Sequence, residues 1–259
     1  MPRTPIVAGN WKMNTTADSA IELARALREA LAEADDASGG IEKVVCPPFV
    51  FLGAVAKACE GSPVKVGAQN MHWEEKGAFT GEVSAAMLAG LAEYVIIGHS
   101  ERRQYFCETD ETVSKKLRAA VAAGLKPIVC VGETGAQRQA GETKAVLRRQ
   151  VRGAFEGQPA VPPETTVVAY EPVWAIGTGV AATPSDAQEA IAFIRGELAD
   201  IVGAEAASQV RILYGGSVTP DNIADFVAQP DVDGGLVGGA SLVAASFVEM
   251  VRKVAAIGR

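Results

Sequence analysis

The chain is poor in the residues that build metal centres and disulfide scaffolds. Its 259 residues include four cysteines and two histidines. The histidines, His72 and His99, have no metal-ligand spacing, so we expect no bound metal. The cysteines lie far apart and contain no C-x-x-C pair, so we expect reduced and mostly buried thiols. They are Cys46, Cys59, Cys107 and Cys130.

Basic clusters and long apolar runs are also missing. Lys and Arg total 24 against 31 Asp and Glu, which gives a net charge of −7, so nucleic acid and anionic membranes are disfavoured as partners. No run approaches the roughly 18 apolar residues of a membrane span. The segment from Met1 to Lys12 lacks the features of a signal peptide. We therefore expect a cytoplasmic protein in which local positive groups hold any anionic ligand.

The chain does contain a regular alternation of short apolar runs and Ala-rich amphipathic segments. Most of the runs are continuously apolar, which is typical of parallel strands covered on both faces. The predicted strands are Ile6–Ala8, Lys43–Cys46, Val64–Gly67, Tyr94–Gly98, Pro127–Val131, Thr166–Tyr170, Arg211–Tyr214 and Leu236–Val237. The predicted helices are Ser19–Glu33, Val50–Glu60, Glu82–Ala89, Asp110–Ala123, Ala136–Phe155, Ser185–Val202, Pro220–Ala228 and Ala244–Ile257.

This alternation predicts an α/β fold with a parallel sheet, because each strand–helix–strand unit is a right-handed crossover. An open doubly wound sheet would satisfy the same pattern. Eight units in roughly 250 residues favour closure into a (β/α)₈ barrel, a single catalytic domain over residues 1–259. The Gly-rich stretches Ser38–Gly40 and Gly157–Pro163 fall between a helix and the next strand, so we interpret them as loops at the bottom of the barrel.

Polar residues and glycines follow several predicted strands at their carboxyl ends, the face on which barrel enzymes build their active sites. A carboxylate, a histidine and a lysine on one rim favour proton abstraction next to a carbonyl. Glycine turns after the seventh and eighth strands favour binding of a phosphate by backbone N–H groups. The residues concerned are Asn10, Lys12, His99, Glu101, Glu171, Gly177, Gly215, Gly216, Ser217, Gly238 and Gly239.

One glycine motif resembles a dinucleotide-binding fingerprint. The segment from Gly177 to Ala182 fits G-x-G-x-x-G/A, but such a motif follows its strand directly. Here the residues from Glu171 to Ile176 intervene. We therefore expect no nicotinamide and no other cofactor.

Six segments resemble signatures of the triosephosphate isomerase family, in the family's order and over the full length. They are Gly9–Lys12, Gly77–Glu82, Gly98–Arg103, Ala169–Thr178, Leu213–Ser217 and Leu236–Leu242. The resemblance implies a cofactor-free aldose–ketose isomerase of glycolysis and gluconeogenesis. Such an enzyme interconverts glyceraldehyde 3-phosphate and dihydroxyacetone phosphate through an enediolate.

The resemblance also implies a role for each matching residue. Asn10 and Lys12 would contact the substrate, His99 would be the electrophile, Glu101 would support Lys12, and Glu171 would be the base. The backbone N–H groups implied to bind the phosphate are those of Gly177, Ser217, Gly238 and Gly239.

Two loops carry further implications. A closing lid is implied for Pro172, Val173, Trp174, Ala175, Ile176, Gly177 and Thr178. The connection from Gln69 to Gly81 is much longer than the usual ~2–6 residues. Its tip resembles a loop that docks beside Asn10 and Lys12 of a second subunit, which implies a homodimer; a mobile lid on a monomer is the alternative. The implied interface residues are Phe79, Thr80, Gly81 and Glu82.

Three other functions remain open from the sequence. Lys12 could form a Schiff base in an aldolase acting on sugar phosphates. A metal-dependent epimerase is weaker, because His72 and His99 are the only histidines. The chain could also be an inactive barrel that serves as a binding scaffold.

Overall fold

A computed structural model describes residues 3–32, 40–158, 161–176 and 182–258. Eight parallel strands form a closed barrel in chain order, with β8 pairing back to β1. The barrel expected from the alternation is therefore confirmed. The strands are β1 (Ile6–Asn10), β2 (Glu42–Cys46), β3 (Val64–Ala68), β4 (Tyr94–Ile97), β5 (Lys126–Val131), β6 (Val167–Tyr170), β7 (Arg211–Tyr214) and β8 (Gly234–Val237).

Both faces of most strands are largely apolar because the barrel separates two cores. Ile6 and Ala8 point into the barrel and pack with inward residues of the other strands. Val7, between them, belongs to the larger core that lies between the barrel and its helices. Successive strand residues face opposite sides, so a strand buried on both sides lacks the alternation of apolar and polar residues.

Helices surround the barrel. They are α1 (Ala17–Ala32), α2 (Phe49–Cys59), α3 (Ala85–Leu88), α4 (Ser100–Tyr105), α5 (Asp110–Ala122), α6 (Gly135–Gln139), α7 (Thr143–Phe155), α8 (Pro184–Val202), α9 (Ala204–Gln209), α10 (Ile223–Val227) and α11 (Ala244–Ala255). Helix α8, predicted as Ser185–Val202, begins one residue earlier: Thr183 caps it by accepting from the backbone N–H of Asp186, and Pro184 stands in its first turn.

Three helix predictions need correction. The segment Ala136–Phe155 is two helices rather than one, because Gly141 has a φ of +73°, outside the right-handed helical region. The short helix α9 was not predicted, since it is not long enough to show a periodic apolar stripe. The predicted helices Glu82–Ala89 and Pro220–Ala228 shorten to α3 and α10.

The structure also bears on the expectations for the cysteines, for membrane-spanning segments and for the bottom loops. The four thiols are free; three are buried and Cys107 is exposed. Burial raises the pKa of Cys46 to about 12. Within the described ranges, no helix combines the length and apolarity needed to cross a bilayer. Most of the predicted bottom loop Ser38–Gly40 and part of Gly157–Pro163 lie outside the described residues.

Candidate active site

Four of the polar residues predicted from the strand ends, Asn10, Lys12, His99 and Glu171, line one cavity of about 250 Å³, and Glu101 does not line it. Asn10, His99 and Glu171 are almost fully buried. Glycine-rich turns after β7 and β8 also line the cavity. They contribute Gly215, Gly216, Ser217, Gly238 and Gly239.

The carboxylate of Glu171 is fixed at both oxygens. The His99 Nε2 lies 2.8 Å from Oε1, and the backbone N–H of Ser100 donates to Oε2 at 2.9 Å. Burial alone would raise the pKa of Glu171, but the neighbouring imidazole and these hydrogen bonds hold the pKa below its usual value. The group is therefore ionised at neutral pH.

The imidazole of His99 is oriented by the first turn of α4. Its Nδ1 accepts a hydrogen bond from the backbone N–H of Glu101 at 3.2 Å, so that nitrogen carries no proton. Burial lowers the pKa of His99, and the adjacent Glu171 carboxylate raises it above the usual value on balance. Because Nδ1 is an acceptor, we assign the neutral tautomer, in which Nε2–H donates to Glu171.

Lys12 places a positive charge at the edge of the cavity. Its Nζ lies 2.7 Å from Oε1 of Glu101. Its backbone has a φ of +52°, which is unfavourable for a residue other than glycine. The Asn10 side chain accepts from the Lys12 N–H at 3.1 Å, and the Gln69 side chain donates to the Lys12 carbonyl at 2.9 Å. These bonds hold the strained conformation.

Directly after Glu171, the chain forms a 3₁₀ turn, Val173–Ala175. The indole Nε1 of Trp174 donates to Oε1 of Glu133 at 2.9 Å, and the Tyr170 hydroxyl donates to the same oxygen at 3.2 Å. The sequence analysis missed Glu133, although the strand-end rule that selected His99 and Glu171 also selects it. Two predicted lid residues, Gly177 and Thr178, lie outside the described residues.

A buried ionic cluster supports the strand that leads to His99, and the sequence analysis missed this cluster too. Glu108 accepts hydrogen bonds from the backbone N–H of Gly98 at 2.9 Å and from the side chains of Arg102 and Lys116, both at 2.8 Å. Lys116 also donates to Asn70, at the base of the long third loop, at 2.7 Å. No sequence pattern marks this cluster, because its members come from separate elements.

The long loop after β3 leaves part of its tip exposed. Phe79 is 44% exposed, and Thr80, Gly81 and Glu82 are exposed as well. A second groove of about 290 Å³ lies beside Asn10 and Lys12. The exposed apolar side chains of Met13 and Phe106 line this groove.

Comparisons with known proteins agree with this arrangement. A family model described as triosephosphate isomerase matches residues 5–254. This chain belongs to the triosephosphate isomerase family. Proteins of that name from Clostridium perfringens and Moorella thermoacetica are 55% and 57% identical to it over 250 residues. These alignments cover 96% of this chain and 99% and 98% of the relatives. The resemblance read from the six motifs is confirmed, and with it the assignment to an isomerase family.

Proposed function

We propose that the chain interconverts glyceraldehyde 3-phosphate and dihydroxyacetone phosphate through an enediolate. The observation that carries the proposal is the direct contact between Glu171 and His99 beside a small cavity that also holds Lys12 and two glycine turns. A base, a neutral hydrogen-bond donor and a cation on one rim form the set of groups needed for proton transfer next to a carbonyl.

Glu171 acts as the base in this proposal. It leaves the Ser100 N–H and turns to the substrate carbon, where loss of its hydrogen bonds and exclusion of water raise its basicity. A well-placed general base contributes about 10²–10⁴-fold to the rate. The same carboxyl then returns the proton to the neighbouring carbon, while the His99 imidazole passes the hydroxyl proton from one substrate oxygen to the other.

His99 and Lys12 stabilise the negative charge that develops on the substrate oxygen. When Glu171 turns away, the His99 Nε2–H loses its acceptor and is free to donate to that oxygen. Asn10 completes the contacts on this side. Glu101 holds the Lys12 ammonium in place, and an ammonium paired with a carboxylate is a poor nucleophile, which disfavours the aldolase alternative.

The phosphate occupies the part of the cavity lined by the glycine turns, where backbone N–H groups of Ser217, Gly238 and Gly239 bind it. Gly177 belongs to this proposal on the strength of the family resemblance. The lid, Pro172 to Thr178, closes over the bound substrate and excludes water. Exclusion of water matters because an exposed enediolate eliminates its phosphate.

A coupled assay with each triose phosphate tests the activity. We expect isomerisation in both directions, unchanged by chelator, with incorporation of solvent deuterium at the carbon next to the carbonyl. Borohydride treatment in the presence of dihydroxyacetone phosphate should trap no substrate. Trapping on Lys12 would favour the aldolase, and absence of any turnover would favour a binding scaffold.

The remaining parts of the proposal concern assembly, location and partners. The exposed loop tip around Phe79 docks into the groove beside Asn10 and Lys12 of a second copy, giving a homodimer. The chain works in the cytoplasm as one catalytic domain over residues 1–259, with neither nucleic acid nor membrane as a partner. The net charge of −7 supports this exclusion.

A further inference from the structure

Gln150 binds both polar groups of one backbone residue near the site. Its Oε1 accepts from the Gly132 N–H at 2.7 Å, and its Nε2 donates to the Gly132 carbonyl at 3.2 Å. Gln150 lies on α7 and is 5% exposed. A polar side chain buried in this way normally has a specific partner, and here the whole carboxamide is used on Gly132.

The position of Gly132 explains why it needs this partner. On one side, the chain after β5 continues to pair with the chain after β6: the Glu171 N–H donates to Val131 at 2.8 Å and the Val173 N–H to Glu133 at 3.0 Å. The intervening Gly132 directs its polar groups to the other side, towards β4. That strand ends at Ile97, so the Gln150 carboxamide takes the place of the missing strand.

Gly132 is in close contact with the backbone of Glu171. A Cβ added to Gly132 would lie 1.7 Å from the Glu171 carbonyl oxygen, so no other residue fits without moving the base. Gly132 also borders a cavity of about 530 Å³, which Gln150 and Glu171 line as well. Packing beside this cavity is therefore open, and the two hydrogen bonds from Gln150 restrain Gly132.

The geometry points to Gln150 as a positioning residue, which holds Glu171 and the first turn of the lid through Gly132. This inference rests on the proposed role of Glu171 as the base. Three of the groups proposed to bind phosphate, on Ser217, Gly238 and Gly239, follow β7 and β8 and so belong to other units of the barrel than α7. Loss of the Gln150 contacts should therefore affect proton transfer and leave substrate binding almost unchanged.

The test is Gln150→Leu, which keeps the size of the side chain and removes both hydrogen bonds. We expect kcat to fall by about tenfold or more, since a displacement of about 1 Å can cost about 10²-fold. KM should stay within about twofold, because binding groups are untouched. The primary isotope effect with dihydroxyacetone phosphate deuterated at C1 should rise, because a misplaced base makes proton transfer more rate-limiting.

Gln158→Leu is the matched control. Gln158 lies just beyond the carboxyl end of α7. Its side chain donates to the carbonyls of Ser114 at 3.0 Å and Ala154 at 3.1 Å. This variant loses hydrogen bonds of the same kind far from Glu171. It should lower the Tm while kcat and the isotope effect keep their native values.

Gln150→Glu provides a second measurement if the leucine variant does not fold. It keeps an acceptor for the Gly132 N–H and loses the donor to the carbonyl, so its kcat should lie between those of the native and leucine proteins. A native kcat and isotope effect in the folded variants would overturn the inference. If the Gln150 variants are native but Glu171→Asp has a lower kcat, the proposed function stands and only the inference about Gln150 fails. Full activity of Glu171→Asp would instead exclude Glu171 as the base of the proposed function.

Discussion

The indole of Trp174 is bonded to the buried carboxylate of Glu133, 2.9 Å from Nε1 to Oε1. The guanidinium of Arg138 lies over the same indole, 4.3 Å from the ring centroid. This hydrogen bond and this cation–π contact both hold Trp174, near the start of the proposed lid. Any closing motion that moves this indole must exchange these contacts for others.

Removing the hydrogen bond to Glu133 should impair the lid. In Trp174→Phe the ring remains, but a buried carboxylate loses a donor, which costs about 1–3 kcal/mol. We expect a lower kcat and a larger release of inorganic phosphate per turnover, because the enediolate is less well protected. Phosphate release measured beside isomerisation checks this. Phe193→Leu, on α8, should change neither quantity; an unchanged phosphate release in Trp174→Phe would contradict the proposed lid.

Shortening the base should separate catalysis from folding. Glu171→Asp keeps the charge and withdraws the carboxylate by about 1 Å, so kcat should fall by roughly 10²-fold with the Tm little changed. The coupled assay and thermal unfolding measure the two effects. Glu189→Asp, at an exposed position, serves as the control. Native turnover in Glu171→Asp would exclude this residue as the base.

Loss of the Lys12 charge should abolish activity in a folded protein. Lys12→Ala removes the cation from the cavity and leaves Glu101 without its 2.7 Å partner. We expect kcat/KM to fall by at least about 10²-fold, as for loss of other groups that stabilise a developing oxyanion. Circular dichroism should show a native fold. Lys57→Ala, at the surface, should be fully active, and comparable activity in Lys12→Ala would overturn its assignment.

The Glu108–Lys116 pair should make the free energy of unfolding depend on pH in the acid range. Burial alone would raise the pKa of Glu108, but Lys116, Arg102 and the Gly98 N–H hold it below the usual value. The unfolded chain then binds more protons as the pH falls below about 4.5, so stability is complete above that pH and is lost as the pH drops through the folded pKa.

Urea unfolding between pH 3 and pH 7 measures this dependence. Glu108→Gln should be less stable than the native protein at pH 7, by about 3–5 kcal/mol, because it leaves the buried Lys116 charge unpaired. It should also lose less stability on acidification. Glu111→Gln, whose side chain is 74% exposed, is the control. An identical pH slope in the native and Glu108→Gln proteins would contradict the assignment.

A charge on the loop tip should prevent assembly. Phe79→Asp places a carboxylate on the surface proposed to dock, so light scattering should give a mass near 27 kDa in place of a dimer. Leu91→Asp, which changes a side chain of similar exposure at another site, should remain dimeric. A native protein that is monomeric at micromolar concentration would refute the dimer, and the loop would then be a lid on a monomer.

Barrel, strand order and cavity were predictable because each depends on a repeated local rule. Apolar runs mark strands, and polar residues at their carboxyl ends mark the site. The break at Gly141 was hidden because the apolar stripe of α7 resumes directly after it. Gln150 left a weak signal: it stands on that stripe between Leu147 and Val151, where an apolar residue is expected. Its partner Gly132 could be identified only from the folded chain.

The barrel closes between its first and last strands, so it cannot close during synthesis until β8 has been made. Lys12 lies beside Gly238 in the folded protein, yet Gly238 is synthesised more than two hundred residues later. A nascent chain that stops before β8 therefore has an open seam beside β1 and half of its anion pocket. The proposed site is therefore complete only when β8 has joined β1, so we expect a chain that is terminated before β8 to be inactive.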